Sequence, residues 1–199
     1  MKIIRPVSQQ PIPKNAKRVF KGVIFDVYQW EQKMFDGSAA IFEKIRRPDT
    51  ALIIPVTQDQ KFVLIRQDQP DEKNFVGLPG GRVERNETPE QAAKRELLDE
   101  TGFESSSWSL WHQIVHRGKV CYKVHVYLAK NCIKVSGSNL DAGEKIKVKL
   151  ISFDEFFQYL LDRSFDPRDE IVDKLLKDGV LTIITNKKKA AEFKKFLLS

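Results

Sequence analysis

Apolar and polar residues alternate along VFKGVIFDVYQWEQKM (19–34) and again along SAAIFEKI (38–45), with the turn dipeptide Asp36-Gly37 between them. This pattern predicts a β-hairpin. Before it, Pro6, Pro11 and Pro13 make residues 1–18 an extended arm. Residues 51–57 and 61–67 read as a second strand pair around Gln58-Asp59-Gln60, followed by a loop ending in Leu78-Pro79-Gly80-Gly81. A helix then opens at Thr88, which can cap it. Pro89 takes the first helical position, Gln91 completes a capping box, and Gly102 stops the helix. Two strands are expected at 108–115 and 120–129, joined through Arg117-Gly118, and another at 146–151 after a loop at 136–144. Ser152-Phe153-Asp154-Glu155 is a further capping box, for a helix reaching about Asp162. Asp166-Pro167 begins another helix, and 187–198 is the last. Strands around one central helix, with more helices at the end, predict an α/β layered fold with a mixed sheet.

Composition narrows the class. The chain has 199 residues, 41% hydrophobic and 31% charged, as in an ordinary globular protein. No apolar run approaches the ~20 residues of a membrane-spanning helix, and MKIIRPVSQQPIP lacks the apolar stretch of a secretory signal, so a cytoplasmic location and no membrane partner are expected. Cys121 and Cys132 match no zinc spacing and read as packing thiols. The net charge of +7 invites a nucleic-acid reading, but residues 187–199 hold five lysines against one glutamate and so account for +4 of it. That distribution argues against nucleic acid. The modestly basic remainder suits a small polyanionic substrate.

The chemistry concentrates in GGRVERNETPEQAAKRELLDETGFE (80–104). Glu96, Asp99 and Glu100 stand at i, i+3 and i+4, so three carboxylates project from one helix face. Like charges there repel, and a purely structural helix gains little from them. Bound hard cations reverse the sign, because magnesium takes oxygen ligands and bridges carboxylates to phosphates. Leu97 and Leu98 anchor the helix elsewhere, which leaves the acidic face open. Gly80-Gly81 allows the backbone to turn sharply and approach a ligand closely.

This segment resembles the Nudix box: Gly81, Glu87, Arg95, Glu96, Leu97, Asp99, Glu100, Gly102 and Phe103 fall at its spacing. Six fixed positions at roughly 7% usage each give a chance match on the order of 10⁻⁵ over the chain. Asp99 stands where the family has Glu, and Phe103 where it has an aliphatic residue. The resemblance implies a Nudix α/β/α sandwich with a mixed sheet and a small N-terminal β-strand domain. It implies a site for one to three Mg²⁺ (or Mn²⁺) ions, with Glu96 and Glu100 as direct ligands and Asp99 more peripheral, while Arg95 and Glu87 brace the loop. Cations held there would neutralise a diphosphate, polarise its P–O bond and lower the pKa of the attacking water.

Beyond the box, the leading hairpin, RRPDTALIIPV, FVLIRQDQP, LPGG and DAGEKIKVKLISFDEF resemble the ADP-ribose and nucleotide-sugar pyrophosphatase branch. That resemblance implies three regions: an arm and dimerising hairpin at 1–47, the Nudix domain at 48–162, and a helical extension at 163–199. It also implies a homodimer acting on a small nucleoside diphosphate derivative, ADP-ribose first, giving AMP and a sugar phosphate. Another nucleoside diphosphate sugar or a dinucleotide is the alternative substrate. A nucleotide-sensing module without catalysis is the rival class, and it would need broken acids. Gln69 stands where relatives carry an arginine before Pro70, and 112–118 reads HQIVHRG in place of the Pro-Gly loop that marks the ADP-ribose enzymes. Arg46, Arg47, Arg66, Trp30 and Gly81 are the expected substrate contacts. Between Glu104 and Asp141 there is no acid, so a further catalytic or metal-binding carboxylate is expected in the loop before 146–151. Glu144 holds the matching place there.

Overall fold

The computed structural model describes residues 11–70, 72–140, 143, 145–161 and 187–198. The run 19–34 forms two strands. β1 (Lys17–Lys21) and β2 (Asp26–Lys33) are antiparallel, and the Gly22 N–H donates to the Phe25 carbonyl at 2.8 Å to close the turn between them. β2 then pairs with β3 (Ala39–Arg46) around Gly37, which takes φ 84°. The expected hairpin is therefore a three-strand meander. Its extra turn falls at Val23-Ile24-Phe25, where apolar residues run on without a break and alternation gives no sign of it.

β4 (Thr50–Thr57), β5 (Phe62–Gln69) and β6 (Glu72–Gly77) follow, then β7 (Gly80–Arg82), helix α1 (Pro89–Thr101) and β8 (Phe103–Glu104). β9 (Ser107–Arg117) and β10 (Val120–Lys134) form a long hairpin, and β11 (Lys145–Ile151) leads into α2 (Phe153–Leu161). The last element is α3 (Lys187–Leu198). The sheet order is β1-β2-β3-β10-β4-β5-β11, with β6 on β5, β7 on β4, and β8 and β9 on β10.

β10 makes the sheet mixed. It is antiparallel to β9 and parallel to both β3 and β4, which lie end to end along one of its edges. Between them the ladder breaks at Arg47-Pro48-Asp49. Proline has no N–H to give, and the Asp49 carboxylate accepts the Lys123 N–H at 2.9 Å in place of a backbone carbonyl.

Alternation along β4 sorts the core into two layers. Leu52, Ile54 and Val56 face Phe62, Leu64, Phe153, Phe156 and Leu197, on the side of α2 and α3. Ala51 and Ile53 face Ala92, Ala93 and Leu97 of α1. Helices therefore cover both faces of the sheet, as the α/β/α expectation required. Ser152 and Glu155 form the expected reciprocal cap on α2. α3 is docked on the body through buried Leu197, a hydrogen bond from Lys130 Nζ to the Phe196 carbonyl at 2.8 Å, and a 3.5 Å ion pair between Lys194 and Asp154. The helix expected at Asp166-Pro167, with most of 163–199, lies outside the described residues. No helix among the described residues is long and apolar enough to cross a membrane. Both cysteines are free, and burial pushes the Cys132 thiol up to about 11, as befits a packing group.

Candidate active site

Helix α1 carries the acids because its ends are fixed and its back is small. Thr88 and Gln91 exchange the two hydrogen bonds of a capping box, and Gly102 ends the helix at φ 72° with its N–H on the Leu98 carbonyl. Ala92 and Ala93 let the helix lie close against Ala51 of β4. Glu96, Asp99 and Glu100 then line one cavity of about 180 Å³ together with Gly80, Gly81, Arg95 and Asn139.

The acidic face is less open than its sequence suggests. Glu100 is only 5% exposed, because β7 pairs with β4 alongside α1 and covers it. Its Oε2 accepts the Gly80 N–H at 2.8 Å. Space requires the first glycine: a Cβ on Gly80 would meet the Ala51 carbonyl, whereas one on Gly81 would meet only the end of the Glu96 side chain, which would have to swing aside.

Arg95 ties the preceding loop to the helix. Its Nε and one terminal nitrogen reach the two oxygens of Glu87 at 3.2 and 2.8 Å. The same terminal nitrogen donates to the Arg82 carbonyl, and the other to Glu96 Oε1 at 2.8 Å. Glu87 also accepts the Glu84 N–H at 2.6 Å. The guanidinium holds the Glu87 carboxyl below the usual glutamate range, and the carboxylates hold Arg95 above its usual value. On the far side, the Asp99 carbonyl accepts the Asn139 N–H at 2.7 Å, which docks the loop after β10 onto the helix.

A larger cleft of about 500 Å³ adjoins this cavity, sharing Arg82 and Glu84 with it. Its walls come from the β1–β2 turn, from Arg46-Arg47-Pro48 and from residues 82–85.

A family model of the NUDIX domain matches residues 46–175, well over half of the chain. The chain belongs to the Nudix hydrolase family. It is similar to the methanol dehydrogenase activator of Bacillus methanolicus, 28% identical over 167 residues that span 82% of this chain and 90% of that one. It is also similar to the ADP-ribose pyrophosphatase of Bacillus subtilis (strain 168), 26% identical over 163 residues, 80% and 87% of the two chains. A crystal structure of an ADP compounds hydrolase matches with a TM-score of 0.61 over 89% of this chain and 98% of that chain, at 20% identity, a likeness of fold.

Nudix hydrolases generally use divalent cations. Here the Nudix helix brings Glu96, Asp99 and Glu100 to one cavity, but among the described residues no three His, Cys, Asp or Glu side chains converge as a metal cage. Arg95 engages Glu96, and Gly80 engages Glu100. Of the expected substrate contacts, Gly81 lines the acidic cavity, and Arg46 and Arg47 line the adjoining cleft. Trp30 and Arg66 line neither. Trp30 is buried against Phe42 in the meander, with its indole N–H on Gln32, and Arg66 bonds Asn74 on the surface of β5. Glu144 lies outside the described residues. Sequence reasoning passed over Arg82, Arg85 and Lys21 in the cleft. The first two stand inside the Nudix segment itself, and a positive residue every few positions next to the acids was the available sign.

Proposed function

We propose that this Nudix hydrolase cuts the diphosphate bond of a nucleoside diphosphate derivative, ADP-ribose in the first instance, releasing AMP and a sugar phosphate with Mg²⁺ (or Mn²⁺) as cofactor. One observation carries the reading: an acidic cavity braced by the Arg95–Glu87 pair adjoins, across Arg82 and Glu84, a basic cleft large enough for a nucleotide. The similarity to an ADP-ribose pyrophosphatase over four-fifths of the chain supports this substrate class.

The donor set fits a hard divalent ion, since Glu96, Asp99 and Glu100 offer only oxygen ligands. Glu96 and Glu100 would hold it, with Asp99, one methylene shorter than Glu, further out. Bound there, the ion would supply charge neutralisation at the diphosphate and a lowered pKa for the attacking water. The chain's own residues do the positioning. The Gly80-Gly81 backbone brings a phosphate close to the acids, Arg95 and Glu87 hold the loop in register with the helix, and Arg46 and Arg47 steer the anionic substrate. Asn139 and Leu140 line the cavity, and the acids next in sequence are Asp141 and Glu144. This supports Glu144 as the remaining metal-binding or water-orienting group. Two copies of the chain would associate through the N-terminal meander, whose exposed Val19, Phe20 and Ile41 want a partner surface.

The test is a panel of ADP-ribose, nucleotide sugars, dinucleotides and nucleoside triphosphates, with products separated and identified. Magnesium-dependent release of AMP from ADP-ribose, faster than any other cleavage, is the expected result. Binding without any cleavage would sink the enzymatic assignment of this site.

A further inference from the structure

The basic cleft carries more positive charge than a single diphosphate at the acidic cavity would use. Lys21, Arg46, Arg47, Arg82 and Arg85 face it, against Asp26 and Glu84 alone. Both carboxylates are only loosely claimed, Asp26 by Arg18 at 3.3 Å and Glu84 by Arg82 at 3.5 Å. Among the described residues Lys21 and Arg85 have no ion-pair partner. Arg46 lies over the Tyr28 ring and Arg47 over the Tyr122 ring. Arg47 gives one hydrogen bond to Thr50 Oγ1, while its Nε is buried with no hydrogen-bond partner. A buried donor without an acceptor is costly, and clustered guanidiniums repel unless an anion sits among them. Three separate segments supply these groups, so the cluster is not the by-product of one basic stretch.

The bond to be cut belongs beside Glu96 and Glu100. We infer that the adjoining cleft binds a second phosphate group carried by the substrate, outside the diphosphate that is hydrolysed. Arg46 and Arg85 are its expected principal contacts among the lining cations, which also include Arg47 and Lys21. Guanidinium forks match phosphate oxygens in a way that sugar hydroxyls do not. The inference rests on the pyrophosphatase reading for the placement of the diphosphate, and concerns what the rest of the substrate carries.

Binding measured by calorimetry in EDTA, where nothing is cut, tests it directly. The ligands are ADP-ribose, its 2′-phosphorylated form, with the extra phosphate on the nucleoside half, and its 1″-phosphorylated form, with that phosphate on the sugar half. At least one phosphorylated compound should bind ~10-fold more tightly than ADP-ribose, about 1.4 kcal/mol. Arg46→Gln and Arg85→Gln should each shrink that ratio to within ~3-fold. Equal affinities for all three compounds, or a preference that survives both substitutions, would overturn the inference. Turnover of the same compounds in magnesium speaks to the other reading. A preference in binding with no hydrolysis leaves this site standing and removes the enzymatic assignment. Hydrolysis of ADP-ribose with no preference does the reverse.

Discussion

At the residue scale, the burial of Glu100 changes what its substitution should do. On an open face the side chain would be dispensable for folding; here it also receives the Gly80 N–H. Glutamine keeps an acceptor oxygen in the same place and loses the charge. Glu100→Gln should therefore lower turnover at least ~100-fold, about 2.7 kcal/mol in the barrier, while thermal melting stays within ~1 kcal/mol of the parent. Near-normal activity at ordinary magnesium would show that this carboxylate holds no metal. Glu87 makes a contrasting case, because its partner is a protein cation. Its folded pKa is depressed, so the stability it contributes is complete above the ordinary glutamate value near ~4.3 and fades as the pH falls through the lower folded value. Glu87→Gln should cost about 1–2 kcal/mol at neutral pH, as expected for a partly exposed charge-assisted pair. Denaturation curves at several pH values should show the gap between variant and parent closing below about pH 4. A constant gap would mean that Glu87 acts by packing rather than by charge.

At the scale of elements, α1 shows both how much the sequence discloses and where it stops. Thr88, Pro89, Gln91 and Gly102 mark its two ends, because capping is local and needs no knowledge of the rest of the chain. For the same reason Gly102→Ala is predictable: φ is 72°, and a Cβ would meet the Ser136 carbonyl. The variant should lose about 1–2 kcal/mol of stability, read as a lower melting temperature. An unchanged melting temperature would mean that the loop after β10 moves aside freely. The three-residue strand β7 and the two-residue strand β8 are not legible in the sequence. Segments so short carry no periodicity and exist only because β4 and β10 lie beside them. The covering of Glu100 follows from β7, so it was hidden too. The arginine cleft was half visible. Arg46 and Arg47 stand side by side in the sequence, but their meeting with Arg85 and Lys21 depends on how the meander turns at Gly22.

At the scale of the molecule, the N-terminal strands carry an apolar surface that no described residue covers. Val19, Phe20 and Ile41 are 52%, 58% and 66% exposed. A homodimer that buries this face is the expected state at micromolar concentration, and Phe20→Glu should shift it toward monomer in sedimentation experiments. A wild-type monomer at that concentration would dispose of the shared interface.

The break at Arg47-Pro48-Asp49 bears on the order in which the chain lets go of its structure. β1, β2 and β3 reach the main sheet through a short parallel pairing at Val120 and Cys121, whereas β4 runs along β10 from Val124 to Cys132. Proteins open in cooperative units of unequal stability, and a thin seam is where such units part. Amide hydrogens of residues 26–46 should exchange together and earlier than those of 51–56, as a separate foldon. The basic cleft spans that seam, with Lys21 and Arg46 on one side and Arg82 and Arg85 on the other. An anion bound there would act as a clasp, slowing exchange in the meander far more than in the core, and the enzyme would be stiffest when loaded.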